Sequence, residues 1–172
     1  MDAAKIVSKI SKEHGIIKNV YFLACGGSLV DLYPGYYFVR AESAVMDAQW
    51  IPAREFALTP PKKLGKDSLL IICSHSGKTK ECLEAAKVGM DAGAAVVTMT
   101  HAPGSPCDCE EWISVVYDWA PGVKEAQKPQ GIVLDILNEL MKAQEPGYTL
   151  YNSIKEGFEK IDDIIAEAVK KK

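Results

Sequence analysis

Two short segments concentrate the groups that chemistry needs. One reads Cys25-Gly26-Gly27-Ser28, and the other reads Ser74-His75-Ser76-Gly77-Lys78-Thr79 with Glu81 following. Each closes an apolar run and opens a stretch with helical spacing. Each therefore offers hydroxyls, close backbone approach at glycine and free N–H groups at a helix start, which together hold a phosphate without a large positive charge. The competing reading is that Ser74, Ser76 and Thr79 only cap and tighten a strand-to-helix turn. One such loop would favour capping; two at matching strand ends favour a phosphate site. Nucleotide motifs are excluded by spacing. A P-loop ending in Gly77-Lys78-Thr79 needs a glycine where this chain has Ile72, and Gly26-Gly27 runs on into Ser28-Leu29-Val30 rather than a dinucleotide fingerprint.

The elements that must position these loops alternate in period. Ala3 to Glu13 places Ile6, Val7 and Ile10 on one helical face. The segment NVYFLACGGS is a short continuous apolar run that ends in glycines and a serine, as suits a central parallel strand. A helix is expected over Leu29 to Glu42, with Pro34 and Gly35 in its first turns or at a kink. A short strand is expected over Val45 to Ala48, then a turn region with Pro52, Pro60 and Pro61. Ser68 to Cys73 repeats the first strand and leads into a helix through Met90. Ala94 to Met99 and Trp112 to Tyr117 supply two more strands. Pro129 opens a helix with Ile132, Val133, Ile136, Leu137 and Leu140 as its buried stripe. Alternating strands and helices give a doubly wound three-layer αβα sandwich with a parallel sheet of about five strands. In such a sheet ligands bind beyond the C-terminal strand ends, where both loops lie.

The chain has 172 residues, 48% hydrophobic and 25% charged, enough for one core and unlike a disordered segment. Twenty basic against 23 acidic side chains leave a net charge of −3, so no nucleic-acid partner is expected. The apolar runs are too short to span a bilayer and the N-terminus has no secretory pattern, so no membrane partner and a cytoplasmic location are expected. Five cysteines without a paired framework read as reduced thiols.

Ser74-x-Ser76-Gly77-x-Thr79-x-Glu81 after an apolar strand resembles the signature of SIS (sugar isomerase) domains, which bind phosphosugars. The segments ACGGS and AAKVGMDAGAAVVTMT are similar to further parts of that family, and the resemblance runs from about Asn19 to about Gln144. NVYFLACGGSLVDLYP and DAGAAVVTMTHAPGSPC look most like the N-terminal half of fructosamine-6-phosphate deglycases. Those enzymes cleave glycated amino-acid phosphates such as fructoselysine 6-phosphate to glucose 6-phosphate and the free amine. The resemblance implies that Ser74, Ser76 and Thr79 hold the phosphate with the N–H groups around Gly77, and that Gly27 and Ser28 contact sugar or phosphate. His75 occupies a variable place and either bonds a sugar hydroxyl or orders the loop. Lys78 either attracts phosphate or points to solvent.

In the same family the proton-moving glutamate and histidine lie in a Gly-Glu-x-x-His-Gly-Pro segment of a second domain, and this sequence has no such segment. The expected organisation is an N-terminal helix over 1–18, an SIS domain over 19–145 and a connector or dimerisation helix over 148–172. The chain is then the N-terminal half of a two-domain deglycase or isomerase-type enzyme. Alternatives are a single-domain ketose–aldose phosphate isomerase active as an oligomer, and a non-enzymatic sugar-phosphate sensor. Acid–base groups from this chain itself would have to come from Glu55, Glu125 or His75. Glu125 either contacts the sugar or orders the following helix; Glu55, taken as partly buried, either caps a turn or lines a partner's site. No cofactor is expected, and no metal, because Cys107-Asp108-Cys109 supplies two thiolates where zinc sites take four ligands. The apolar face Ile154, Phe158, Ile161, Ile165 and Val169 and the aromatic run Tyr33, Tyr36, Tyr37 and Phe38 predict a dimer or contact with a second SIS domain. Lys170 to Lys172 suit the negative end of the last helix.

Overall fold

The computed structural model describes residues 2–170, so Lys171 and Lys172 lie outside the described residues. Five parallel strands, β1 (Asn19–Ala24), β2 (Asp47–Pro52), β3 (Ser68–Cys73), β4 (Ala95–Thr100) and β5 (Ile113–Val116), form one sheet in the order β2-β1-β3-β4-β5. The helices are α1 (Ala3–His14), α2 (Gly27–Asp31), α3 (Tyr33–Glu42), α4 (Ala53–Leu58), α5 (Lys80–Asp91), α6 (Pro129–Gln144) and α7 (Tyr151–Lys170), with a 3-10 turn at Glu125–Gln127.

β1, β3 and β4 are buried along their whole length, which is why they read as continuous apolar runs. Alternate residues serve opposite cores. Val20, Phe22, Leu69, Ile71, Val97 and Met99 pack with α1, α3 and α6. Tyr21, Leu23, Leu70, Ile72 and Val96 pack with α4 and α5. The expected doubly wound sandwich is therefore the observed architecture.

Three local expectations are corrected. The helix expected over Leu29 to Glu42 is broken at Leu32 into α2 and α3. Pro34 falls in the first turn of α3, where its missing N–H costs nothing, and Gly35 lets that turn press on Val133 of α6. The second strand begins at Asp47 rather than Val45 and continues to Pro52, which an edge strand tolerates. The proline-flanked segment read as turn contains α4, whose Ala53 and Phe56 are buried.

α7 packs against α6 and the 3-10 turn through its first half. Lys155 bridges Asp135 at 2.5 Å and Glu139 at 2.8 Å, and Asp162 accepts the Glu125 N–H at 3.1 Å. Ile154, Phe158 and Ile161 are half-buried, whereas Ile165 and Val169 are exposed. No helix among the described residues is long and apolar enough to cross a membrane.

Candidate functional site

The crossovers diverge between β1 and β3, because β1 connects outward to β2 on one side and β3 to β4 on the other. Register places Ala24 beside Cys73, so the two loops leave the sheet at the same level. Cys73 in turn pairs with Met99, and Thr100 with Val116. That alignment brings His101 and Tyr117 out at the same edge.

The Ser74 to Thr79 loop is folded around its own hydroxyls. Ser74 is buried; its N–H donates to Met99 O at 2.9 Å and its hydroxyl donates to Thr79 Oγ1 at 2.9 Å. The Thr79 N–H reaches back to Ser74 Oγ at 3.4 Å and the Lys78 N–H to Ser76 Oγ at 3.3 Å. Gly77 N–H donates to Ser74 O, closing the turn with φ +66° at Gly77. Among the described residues no acceptor meets the N–H groups of His75 and Ser76. Thr79 begins α5, whose first N–H groups also lack intrahelical acceptors. Ser76 is exposed, and so is Lys78. The loop thus presents the Ser76 hydroxyl and two unengaged N–H groups at the end of β3.

From the first loop, Gly27 and Ser28 form the start of α2, which leaves β1 where Ala24 pairs with Cys73 at the end of β3. The loops expected to share a ligand are thus brought together. Burial pushes the Cys73 thiol up to about 12, and Cys107 up to about 11, so neither is a ready nucleophile. Cys107 is buried, with its carbonyl accepting from Thr98 Oγ1 at 2.6 Å and Trp112 Nε1 at 2.9 Å, a packing role. Among the described residues no three His, Cys, Asp or Glu side chains cluster to hold a metal ion.

His75 is exposed but not loose. Its Nδ1 shares a 3.0 Å hydrogen bond with Tyr117 Oη. Its ring stacks on His101 at 5.0 Å and 17°, and meets Trp119 edge-on at 5.6 Å. His101 Nδ1 is tied to Tyr117 O at 3.1 Å. Burial raises the Tyr117 phenol far above its usual range, which keeps it neutral. Sequence reading missed Tyr117, His101 and Trp119 as neighbours of His75; the strand-end rule applied to β4 and β5 would have found the first two. It also missed Asp31, which lies one turn after Ser28 and was absorbed into a longer helix.

Glu125 sits in the 3-10 turn before α6 and pairs with Lys128. Glu55 lies on α4 and is exposed rather than partly buried. Ala53, Phe56 and, in part, Ala57 of that short helix face the core, which leaves Glu55 on the solvent side. Among the described residues no hydrogen bond or ion pair joins the Glu55 side chain to the two loops.

No family model matches the chain. It is 32% identical over 154 residues to fructosamine deglycase FrlB of Bacillus subtilis strain 168, covering 90% of this chain and 47% of that protein. It is 32% identical over 145 residues to the isomerizing glutamine–fructose-6-phosphate aminotransferase of Clostridium tetani, covering 81% of this chain and 23% of that one. A crystal structure of a proposed phosphosugar isomerase from Salmonella typhimurium LT2 superposes with a TM-score of 0.91 at 33% identity, covering 99% of this chain and 51% of that chain. The chain thus spans about half the length of the deglycase and of the solved structure it matches. Sheet order and these matches together make the chain a sugar-isomerase (SIS) domain related to the fructosamine deglycases.

Proposed function

We propose that this chain binds the phosphate of a phosphorylated sugar, or of a glycated amino-acid phosphate, and forms the N-terminal half of a fructosamine-6-phosphate deglycase or isomerase-type enzyme. The observation that carries the reading is the Ser74 to Thr79 loop. Its Ser76 hydroxyl and the unengaged N–H groups of His75 and Ser76 open outward at the strand end. Ser74 and Thr79 hold the loop in shape and supply hydroxyls behind it. Gly27 and Ser28 approach from the first loop. Neutral donors of this kind fit a phosphate in a chain of net charge −3.

Moving a proton between two sugar carbons needs an acid and a base at fixed positions. Glu55 is exposed on α4 and Glu125 is paired with Lys128, so neither offers a free, positioned base beside the loop. The proton-moving groups come from a second SIS domain, and this chain supplies binding and orientation. A second copy is the other source of such groups. The exposed aromatic surface of Tyr33, Tyr37 and Trp50, with the exposed end of α7, supports a homodimer, and a cytoplasmic setting is part of the same proposal.

Calorimetric titration with glucose 6-phosphate tests the reading. Binding that weakens about tenfold in Ser76→Ala and in Thr79→Ala is expected, the loss of a hydrogen bond to a charged group. Binding unaffected by both changes would remove the loop from the site. Release of glucose 6-phosphate from fructoselysine 6-phosphate by the isolated chain would contradict the need for a second domain and favour self-association.

A further inference from the structure

We infer that Asp31, clamped by Gln130, reads the sugar hydroxyls of the phosphosugar; this rests on the phosphate reading of the Ser74 to Thr79 loop. Asp31 follows Ser28 by three residues on α2, so the two share a helix face. Gln130, in the first turn of α6, donates from Nε2 to Asp31 Oδ1 at 2.8 Å across 99 positions of sequence. The pair therefore ties the wall carrying Gly27 and Ser28 to the wall that begins α6. Asp31 is half-buried, and its second oxygen has no partner among the described residues. Gln130 Oε1 is buried without a donor among the described residues.

A polar atom left in that state is costly unless a donor arrives. The two unfilled positions are both acceptors. Phosphate at neutral pH has little to donate and carries the same sign of charge as Asp31, so this end of the site rejects it. A sugar hydroxyl donates, and the Asp31 oxygen, which is not closed off from solvent, is the position it can reach. α2 follows β1 directly, and β1 ends at Ala24 level with Cys73, where the Ser74 to Thr79 loop begins; burial raises the Asp31 carboxyl and His75 opposes that shift. The acceptor pair thus lies beside the donor loop, which is the polarity order of a phosphosugar.

The test is a pair of titrations, with inorganic phosphate and with glucose 6-phosphate, on the unmodified chain, Asp31→Asn, Gln130→Ala and Ser76→Ala. Asp31→Asn should weaken glucose 6-phosphate about tenfold, and leave inorganic phosphate unchanged or tighter because a negative charge has gone. Ser76→Ala should weaken both ligands. If Asp31→Asn leaves glucose 6-phosphate alone, or weakens both ligands alike, the inference is overturned while the phosphate reading stands. The same holds if the unmodified chain binds the sugar phosphate no better than phosphate. Should Asp31→Asn fail to fold, Gln130→Ala decides by the same split, since it removes the clamp and the second acceptor. Indifference of both ligands to Ser76→Ala would defeat the phosphate reading and this inference with it.

Discussion

Replacing Gly77 with alanine separates backbone strain from steric exclusion at the centre of the phosphate loop. Gly77 has φ +66°, and a Cβ there would stand 1.9 Å from Ser105 Oγ, 2.5 Å from Ser105 Cβ and 2.8 Å from Thr100 Oγ1. The left-handed conformation alone costs a non-glycine residue roughly 1–2 kcal/mol. Overpacking adds roughly 1–3 kcal/mol, because Ser105 cannot simply step aside. Its N–H is bonded to Ala102 O, its carbonyl accepts from Asp108, and Gly77 O accepts from Cys107. Gly93 is the internal control: φ is +78° and an added Cβ meets nothing within 4 Å. In urea unfolding, Gly93→Ala should lose roughly 1–2 kcal/mol and Gly77→Ala roughly 2–5 kcal/mol. Gly77→Ala should also lose phosphate binding, and Gly93→Ala should keep it. Equal stability losses in the two variants, or retained phosphate affinity in Gly77→Ala, would refute the steric argument.

Other consequences follow from the same geometry. Ser74→Ala removes the donor to Thr79 Oγ1 and the acceptor of the Thr79 N–H, and should cost about 1–3 kcal/mol in denaturant unfolding while weakening phosphate binding. Glu145, buried after α6, accepts from Ser43 Oγ at 2.5 Å and from the Ala44 N–H at 2.9 Å. Glu145→Ala strands both donors and should cost about 2–4 kcal/mol, visible as faster hydrogen exchange at the end of α3. The Gly104 N–H and the Ser114 hydroxyl hold the Asp108 carboxyl below its usual range. A depressed folded pKa gives stability that is present above the unfolded value, about 3.9, and is lost as pH falls through the folded value. Asp108→Asn should therefore flatten the acid limb of the stability–pH curve below about pH 4 and leave its alkaline limb unchanged.

The sheet and its ligand edge were legible because their signals are local. Buried parallel strands such as Asn19–Ala24 and Ser68–Cys73 carry continuous apolar runs, and each is followed at once by a glycine- or serine-rich loop. α4 was illegible because a six-residue helix between Pro52 and Pro60 has too few turns to show a period. The break at Leu32 was hidden because α2 and α3 abut with a single helical-dihedral residue between them, so the apolar pattern does not lapse. In the candidate site, hydroxyl-bearing loops announced themselves, but what surrounds them did not. The bonds His75–Tyr117 and Asp31–Gln130 join residues 42 and 99 positions apart, and the His75–His101 stack depends on strand register. Such contacts have no signature in sequence spacing. The exposure of Glu55 was equally invisible, since it turns on which face of α4 meets the core.

A crystal of this chain grown with glucose 6-phosphate measures the central claim directly. The account predicts phosphate density within hydrogen-bond reach of Ser76 Oγ and the His75 and Ser76 N–H groups, with the sugar extending towards Asp31. Phosphate bound elsewhere, or an empty loop at a ligand concentration that saturates the chain in solution, would contradict it.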